Sequence, residues 1–158
     1  MKQNSNQTIE RWGIRYTGIV QGVGFRPLVS MWAHSLGLTG FVYNDSQGVY
    51  VEIQGCTSDL QLFLDAIQDD QPRLCRITSQ RVEHLTIQNN EVEFSVKPSP
   101  LGEEVSTFIS ADTAPCDDCL KELERDKRRK EYPFINCTNC GPRYTIIKSL
   151  PYDRERTT

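Results

Sequence analysis

The order in which strand-like and helix-like segments alternate over the first hundred residues limits this chain to very few folds. Segments rich in β-branched and aromatic residues predict strands at 14–20, 39–43, 49–54, 81–88 and 91–96. Apolar residues three and four positions apart predict one helix from Pro27 to about Leu36 and another near residues 58–67. This order predicts a two-layer α+β sandwich of the ferredoxin-like βαββαβ type, with both helices on one face of an antiparallel sheet.

The character of the sequence changes at Lys97. Residues 98–102 contain two prolines and a glycine and are typical of a linker. Few large apolar residues follow, so the second half cannot easily build an apolar core of its own. We therefore predict a folded domain over residues 10–98, a linker over 99–115, and a small cysteine-containing segment over 116–158.

A glycine-containing loop, QGVGFR, lies between the first strand and the first helix. Gly22 and Gly24 let the backbone bend and approach a ligand closely, and the helix start adds the positive end of its dipole. Arg26 adds a planar set of donors that matches phosphate oxygens. The pattern predicts a phosphate site, and the alternative is a tight connection with Arg26 on the surface. The candidate phosphate-binding residues are Gln21, Gly22, Val23, Gly24, Phe25 and Arg26.

Asn44, at the end of the second predicted strand, is the other candidate for this site. Such an asparagine is either a turn residue that tolerates left-handed backbone geometry or a neutral amide that holds a water molecule in line for attack. His34 lies in the first predicted helix and His84 in a late strand. Neither is close in sequence to the loop or to Asn44, so we assign no histidine as a general base.

The second half carries two CxxC pairs, Cys116 with Cys119 and Cys137 with Cys140. Each pair places two thiolates on one tight turn, and two such turns predict a tetrahedral zinc site. Four thiolates leave no open coordination position, so the predicted zinc is structural. The alternatives are a redox pair or two disulfides, and disulfides are disfavoured because no secretion signal is visible.

Charge and hydropathy exclude several classes of function. The net charge of −3 and the pI of about 5.4 argue against a globally basic protein that binds nucleic acid or membrane surfaces. The basic run at residues 127–130 has acidic neighbours and predicts a solvated helix face. No apolar run approaches the roughly 20 residues that span a bilayer, and the polar N-terminus lacks a signal-peptide core. We therefore expect a cytoplasmic protein that binds neither nucleic acid nor membrane.

Two motifs carry a resemblance to a known family. GIVQGVGFR (Gly18–Arg26) resembles the acylphosphatase signature, and GFVYN (Gly40–Asn44) resembles its partner motif at the separation that this family shows. The resemblance implies the acylphosphatase fold, with Arg26 binding the phosphate of an acyl phosphate and Asn44 positioning the hydrolytic water. An acyl phosphate is already activated, so hydrolysis needs no cofactor and no dedicated base. The dianion must be held, the developing charge stabilised and the water oriented.

The second half, with PCDDCLKEL, YPFINCTNCGPRYTII and LPYDR, is similar to the start of hydrogenase-maturation carbamoyltransferases of the HypF type. In that family the acylphosphatase unit releases carbamate from carbamoyl phosphate, and later domains pass it on during assembly of nickel–iron hydrogenase. The resemblance implies carbamoyl phosphate as the substrate and other hydrogenase-maturation proteins as partners. Only one of the two expected cysteine quartets is present, so we expect a truncated chain that does not complete carbamoyl transfer.

Two other classes of function stay open at this stage. The chain could be a non-catalytic docking fragment whose tail is folded by zinc, which an assay of phosphate release from an acyl phosphate would distinguish. It could also be a zinc module that binds nucleic acid, although its net acidity argues against this.

Overall fold

Five strands and three helices lie in the residues that the computed structural model describes, which are 8–99, 114–125, 130–132, 134, 135, 137 and 148. In chain order they are β1 (Ile9–Ile19), α1 (Phe25–Ser35), β2 (Thr39–Asp45), β3 (Gly48–Cys56), α2 (Thr57–Asp69), β4 (Arg76–Leu85), β5 (Phe94–Val96) and α3 (Asp117–Arg125). The predicted βαββαβ order is present, with β5 as a short additional strand. The α+β prediction is therefore confirmed.

The strands form one sheet in the order β4-β1-β3-β2-β5. The first four strands pair antiparallel with their neighbours, as predicted, whereas β5 pairs parallel with β2. β4 and β5 lie at opposite edges, so residues 86–93 must cross the sheet at the end where β4 stops. β2 starts at that same end, and the crossing chain therefore enters beside β2 in the same direction. The sheet is mixed rather than wholly antiparallel for this reason.

Arg11 anchors the crossing segment to the sheet. Its guanidinium is only 3% exposed and bonds to Glu52 at 2.7 and 2.9 Å and to Glu91 at 2.5 and 3.2 Å. Beside it, the Gln54 side chain donates to the carbonyl of Gln88 and accepts from its N–H, at 3.0 and 2.7 Å. These contacts hold the segment to the sheet.

The core lies on the other face of the sheet. Alternate residues of the central strands are completely buried there, and they are Ile14, Tyr16, Val42, Val49, Val51 and Ile53. The helices bury a stripe each, consisting of Phe25, Val29 and Ala33 on α1 and Leu60, Phe63 and Ile67 on α2. Because these residues form one cluster, both helices cover the same face, as the element order predicted.

The bounds of three strands were predicted wrongly. β1 begins at Ile9, well before the predicted start at residue 14. β4 begins and ends earlier than residues 81–88, because its extent is set by pairing with β1, which runs to the pair of Ile19 with Arg76. β5 covers only three residues of the predicted 91–96 strand. Val92, which lies within the predicted strand, precedes β5 and is 88% exposed.

Helix α1 starts at Phe25, two positions before the predicted start at Pro27. Gly24 is the N-cap residue and has a φ of 84°, so the chain turns into the helix directly after this glycine. Pro27 still falls within the first turn, where a backbone N–H has no partner inside the helix. The earlier start places Arg26 in the first turn of α1, at the positive end of the helix dipole.

Candidate active site

The loop between β1 and α1 is held in place by its own apolar side chains. Val23 and Phe25 are buried, and the Phe25 ring packs edge-on against Tyr16 with 5.1 Å between ring centroids. Gly22 and Gly24 have φ values of 69° and 84°, which glycine adopts at little cost. Among the described residues no side chain caps α1. The N–H groups of its first turn are therefore not taken by a capping side chain, as an anion site at this position requires.

Arg26 and Asn44 meet beside this loop. Asn44 is fully buried. With its side-chain amide assigned so that the oxygen faces the guanidinium, that oxygen accepts from Arg26 Nε at 3.2 Å and from Nη2 at 3.3 Å. A guanidinium carries five N–H donors, of which this contact uses two. Arg26 is half-buried, so its charge is shielded from bulk solvent on one side. A planar cation and a neutral amide are thus held together at the start of α1.

The Gln21 side chain is occupied inside the domain. Its Nε2 donates to the carbonyl of Asp45 and to that of Gly48, each at 2.7 Å, and the residue is 3% exposed. Both hydrogens of the amide group are used by these two bonds. The two side-chain donors of Gln21 are therefore not available to a phosphate.

Two residues that the sequence did not single out hold the turn after Asn44. The Asp45 carboxylate forms an ion pair with Arg15 and also accepts from the backbone N–H of Gln47 at 2.8 Å. The Arg15 guanidinium lies 4.8 Å from the centre of the Tyr50 ring. An aspartate just before a two-residue hairpin turn is the one sequence feature that could have predicted that Asp45 holds this turn. Its ionic partner on β1 could not be read from the sequence.

The two histidines make contacts elsewhere. His34 is exposed on α1, and its Nδ1 lies 2.7 Å from the Ser30 carbonyl. His84 is exposed on β4 and lies 3.3 Å from Glu10. It pairs with Trp12 in the first half of β1, whereas the glycine loop lies beyond the other end of that strand.

Three of the four predicted metal ligands lie together. The sulfur atoms of Cys116, Cys119 and Cys137 all lie within 4.8 Å of one another, while Cys140 is outside the described residues. The Sγ atoms of Cys116 and Cys119 are 3.7 Å apart. This matches the edge of about 3.8 Å that a tetrahedron with Zn–S bonds of about 2.3 Å would have. The cysteines present therefore fit a tetrahedral zinc ion.

The pKa values of the paired thiols Cys116 and Cys119 shift in opposite directions. The backbone N–H of Cys119 donates to the sulfur of Cys116 and lowers the pKa of that thiol to about 7. Burial raises the pKa of Cys119 to about 12. Neighbouring thiolates repel one another, so a cation among them is needed before all of them ionise at neutral pH.

Comparison with known proteins matches each half of the chain to a known family. The acylphosphatase family matches residues 12–96, and the HypF finger family matches residues 116–147. Carbamoyltransferase HypF of Rhodobacter capsulatus is 43% identical over 150 residues, which is 95% of this chain and 20% of that protein. The acylphosphatase of Geobacillus kaustophilus is 39% identical over 80 residues, which is 50% of this chain and 84% of that protein.

A solved structure agrees with these matches. The crystal structure of full-length HypF in the phosphate- and nucleotide-bound form superposes with a TM-score of 0.77 at 42% identity, over 95% of this chain and 20% of that one. This chain thus spans about a fifth of the length of its HypF relatives. None of the helices in the described ranges is long and apolar enough to cross a membrane.

The glycine loop, Arg26 and Asn44 all lie within the region that matches the acylphosphatase family. The cysteine cluster lies within the region that matches the HypF finger family. The chain therefore belongs to the acylphosphatase family, and its acylphosphatase domain is followed by a HypF-type zinc finger.

Proposed function

We propose that the acylphosphatase domain of this chain hydrolyses acyl phosphates to a carboxylate and inorganic phosphate. The observation that carries the proposal is the contact between Arg26 and the buried Asn44 beside the glycine loop. A phosphate site needs fixed donors, and a hydrolase also needs a group that aims the water. Here both kinds of group are adjacent and belong to different elements, α1 and β2, that share one buried core.

In the proposed reaction the loop N–H groups and the Arg26 guanidinium bind the phosphoryl oxygens and stabilise the charge that develops on them. The amide of Asn44 hydrogen-bonds the water and holds it in line with the bond that breaks. The water oxygen bonds to phosphorus while the bond from phosphorus to the acyl oxygen breaks. The acyl group leaves as a carboxylate, and a phosphate oxygen accepts the proton of the water.

We propose carbamoyl phosphate as the physiological substrate. It is supported by the relatives, which are carbamoyltransferases named HypF. We also propose that the chain acts in the cytoplasm in hydrogenase maturation, together with other maturation proteins. The proposal for this chain is limited to the hydrolysis step, because the match covers about a fifth of those relatives.

The purified chain tests this function directly. Benzoyl phosphate is followed by its ultraviolet absorbance, and carbamoyl phosphate by colorimetric detection of released phosphate. We expect saturable hydrolysis of both compounds and competitive inhibition by inorganic phosphate. A rate equal to that in buffer would instead support the non-catalytic docking fragment.

Replacing Asn44 by alanine should lower kcat more than it weakens phosphate binding. The water loses the amide that aims it, and a misplacement of about 1 Å costs about 100-fold in rate, so we expect kcat to fall by about 10- to 100-fold. The phosphate inhibition constant should change by no more than about threefold, because the donors on the loop remain. Steady-state kinetics with phosphate as inhibitor measures both quantities.

Asn90→Ala is the matched control, since Asn90 is an exposed turn residue of the crossing segment. It should leave both constants unchanged. An Asn44→Ala enzyme that loses phosphate affinity as strongly as it loses rate would contradict the assignment of Asn44 to the water.

We further propose that the cysteine cluster binds one structural zinc ion through Cys116, Cys119, Cys137 and Cys140. The three described sulfurs and their spacing support this assignment, as does the match to the HypF finger. Four thiolates would close the coordination sphere, so the ion stabilises its own segment and takes no part in hydrolysis. The hydrolysis step itself needs no cofactor in this proposal.

A further inference from the structure

We infer that Gln21 and Asp45 are positioning residues that keep Asn44 in register with the phosphate loop. The side chain of neither residue is assigned to touch the reacting atoms. The inference rests on the proposed acylphosphatase function, because it concerns how the water-aiming amide is held relative to the bound phosphate. Its experiments include one readout that does not depend on activity.

Gln21 joins the two parts of the site. It belongs to the loop that precedes α1, yet its side chain reaches the hairpin between β2 and β3. Its Nε2 donates to the Asp45 and Gly48 carbonyls, which flank the two-residue turn at both ends, at 2.7 Å each. These bonds span 24 and 27 residues of sequence and are buried. One side chain therefore sets the distance between the loop and the turn.

Asp45 holds the same turn through its carboxylate. Its carboxylate pairs with Arg15 of β1 and accepts from the N–H of Gln47 within the turn. The backbone of Gly48 approaches β1 so closely that a Cβ on it would lie 2.2 Å from the Tyr16 carbonyl oxygen. The turn is thus held to β1, to the phosphate loop and to itself.

Asn44 is the residue immediately before this fixed turn, and it pairs with Val49 in the ladder between β2 and β3. Its backbone is therefore held on both sides, while its side chain meets Arg26. Hydrolysis depends on the angle between the water, the phosphorus and the leaving oxygen, which tolerates little displacement. Phosphate binding depends on the loop and Arg26 and tolerates a shift of the hairpin better. Loss of the Gln21 bonds should therefore affect kcat more than phosphate affinity.

The test introduces Gln21→Met into the wild type and into the Asn44→Ala variant. Methionine has a side chain of similar length to glutamine but no N–H donor. In the wild-type background we expect kcat to fall by about tenfold or more, with the phosphate inhibition constant within about threefold. In the Asn44→Ala background Gln21→Met should cause no further loss, because its effect passes through Asn44. Equal losses in the two backgrounds, or a parallel loss of phosphate affinity, would overturn the inference.

Gln80→Met supplies the matched control, since Gln80 is exposed on β4, and it should change neither constant. If Gln21→Met does not fold, Asp45→Asn takes its place, because it keeps the size of the side chain but removes the charge that pairs with Arg15. The same dependence on Asn44 is expected for it, and additive effects would overturn the inference.

The activity-independent readout is the side-chain amide signal of Asn44 in a ¹H–¹⁵N spectrum with saturating inorganic phosphate, assigned by its loss in Asn44→Ala. We expect a sharp pair of signals in the wild type and shifted, broadened signals in Gln21→Met. Unchanged signals in Gln21→Met would overturn the inference, even if the wild-type chain hydrolyses acyl phosphates as proposed. If the wild type shows no hydrolysis, the proposed function fails, while the spectra still decide whether Gln21 positions Asn44.

Discussion

Replacing Arg26 by alanine is expected to lower kcat for acyl phosphate hydrolysis by at least about 100-fold. Loss of one donor that stabilises transition-state charge typically costs about 100- to 1,000-fold. Arg26 provides such donors as a charged, planar group in the first turn of α1, where the helix dipole adds to its field. Phosphate affinity should fall as well, because the same guanidinium binds the ground-state dianion. This separates Arg26→Ala from Asn44→Ala, for which the rate falls more than the affinity.

The measurement is kcat with benzoyl phosphate, together with the inhibition constant of inorganic phosphate. Arg81→Ala is the matched control, since Arg81 is exposed on β4, and it should behave like the wild type. Arg26→Ala also removes the donor to the buried oxygen of Asn44, so circular dichroism must show that the variant is folded. A folded variant with an unchanged rate would remove Arg26 from the mechanism and with it the main support for the proposed function.

Replacing Cys119 by serine is expected to abolish zinc binding. Structural zinc contributes about 10–16 kcal/mol of apparent binding free energy at pH 7 in small finger peptides, and this depends on a complete set of thiolates. Cys119 is the buried member of its pair, and its sulfur lies 3.7 Å from that of Cys116. We expect about one zinc per chain in the wild type and less than about 0.2 in the variant, measured by elemental analysis after removal of loosely bound metal.

Cys56→Ser is the control for this variant, because Cys56 is the last residue of β3 in the first domain, and the zinc content of this control should equal that of the wild type. Hydrolysis should survive in Cys119→Ser, since the loop, Arg26 and Asn44 belong to a domain with its own buried core. Full zinc content in Cys119→Ser would contradict the metal assignment. Loss of hydrolysis together with the metal would contradict the independence of the two functions.

Local patterns predicted the architecture of the domain well. Strand alternation and helical spacing depend on the burial of one face of each element, and that information lies within ten or so neighbouring residues. The core stripes of α1 and α2 and the placement of both helices on one face follow from it. The bounds of β4 and the direction of β5 were not predicted, because they depend on pairing with β1 and β2 across the sheet.

The residues of the candidate site likewise fall into those that motifs predict and those that only the structure reveals. The glycine loop, Arg26, Asn44 and the paired cysteines can be identified from motifs, because such motifs are short and each residue type has a clear chemical role. Gln21 was predicted only as a member of the loop, and its bonds to the hairpin were not foreseen. Arg15 and Asp45 were missed, since an ion pair between a strand and a distant turn leaves no mark in the local sequence.

The amino-acid sequence by itself determined which reactive groups this protein has and the order of the elements that carry them, because backbone preference and side-chain chemistry are local properties. Only the tertiary structure decided that the Asn44 side-chain amide lies beside the Arg26 guanidinium and that the Gln21 amide reaches the turn that follows Asn44. Those positions depend on how β1, α1 and the hairpin pack around a shared core, which is a sum over many long-range contacts and is not encoded in any one motif.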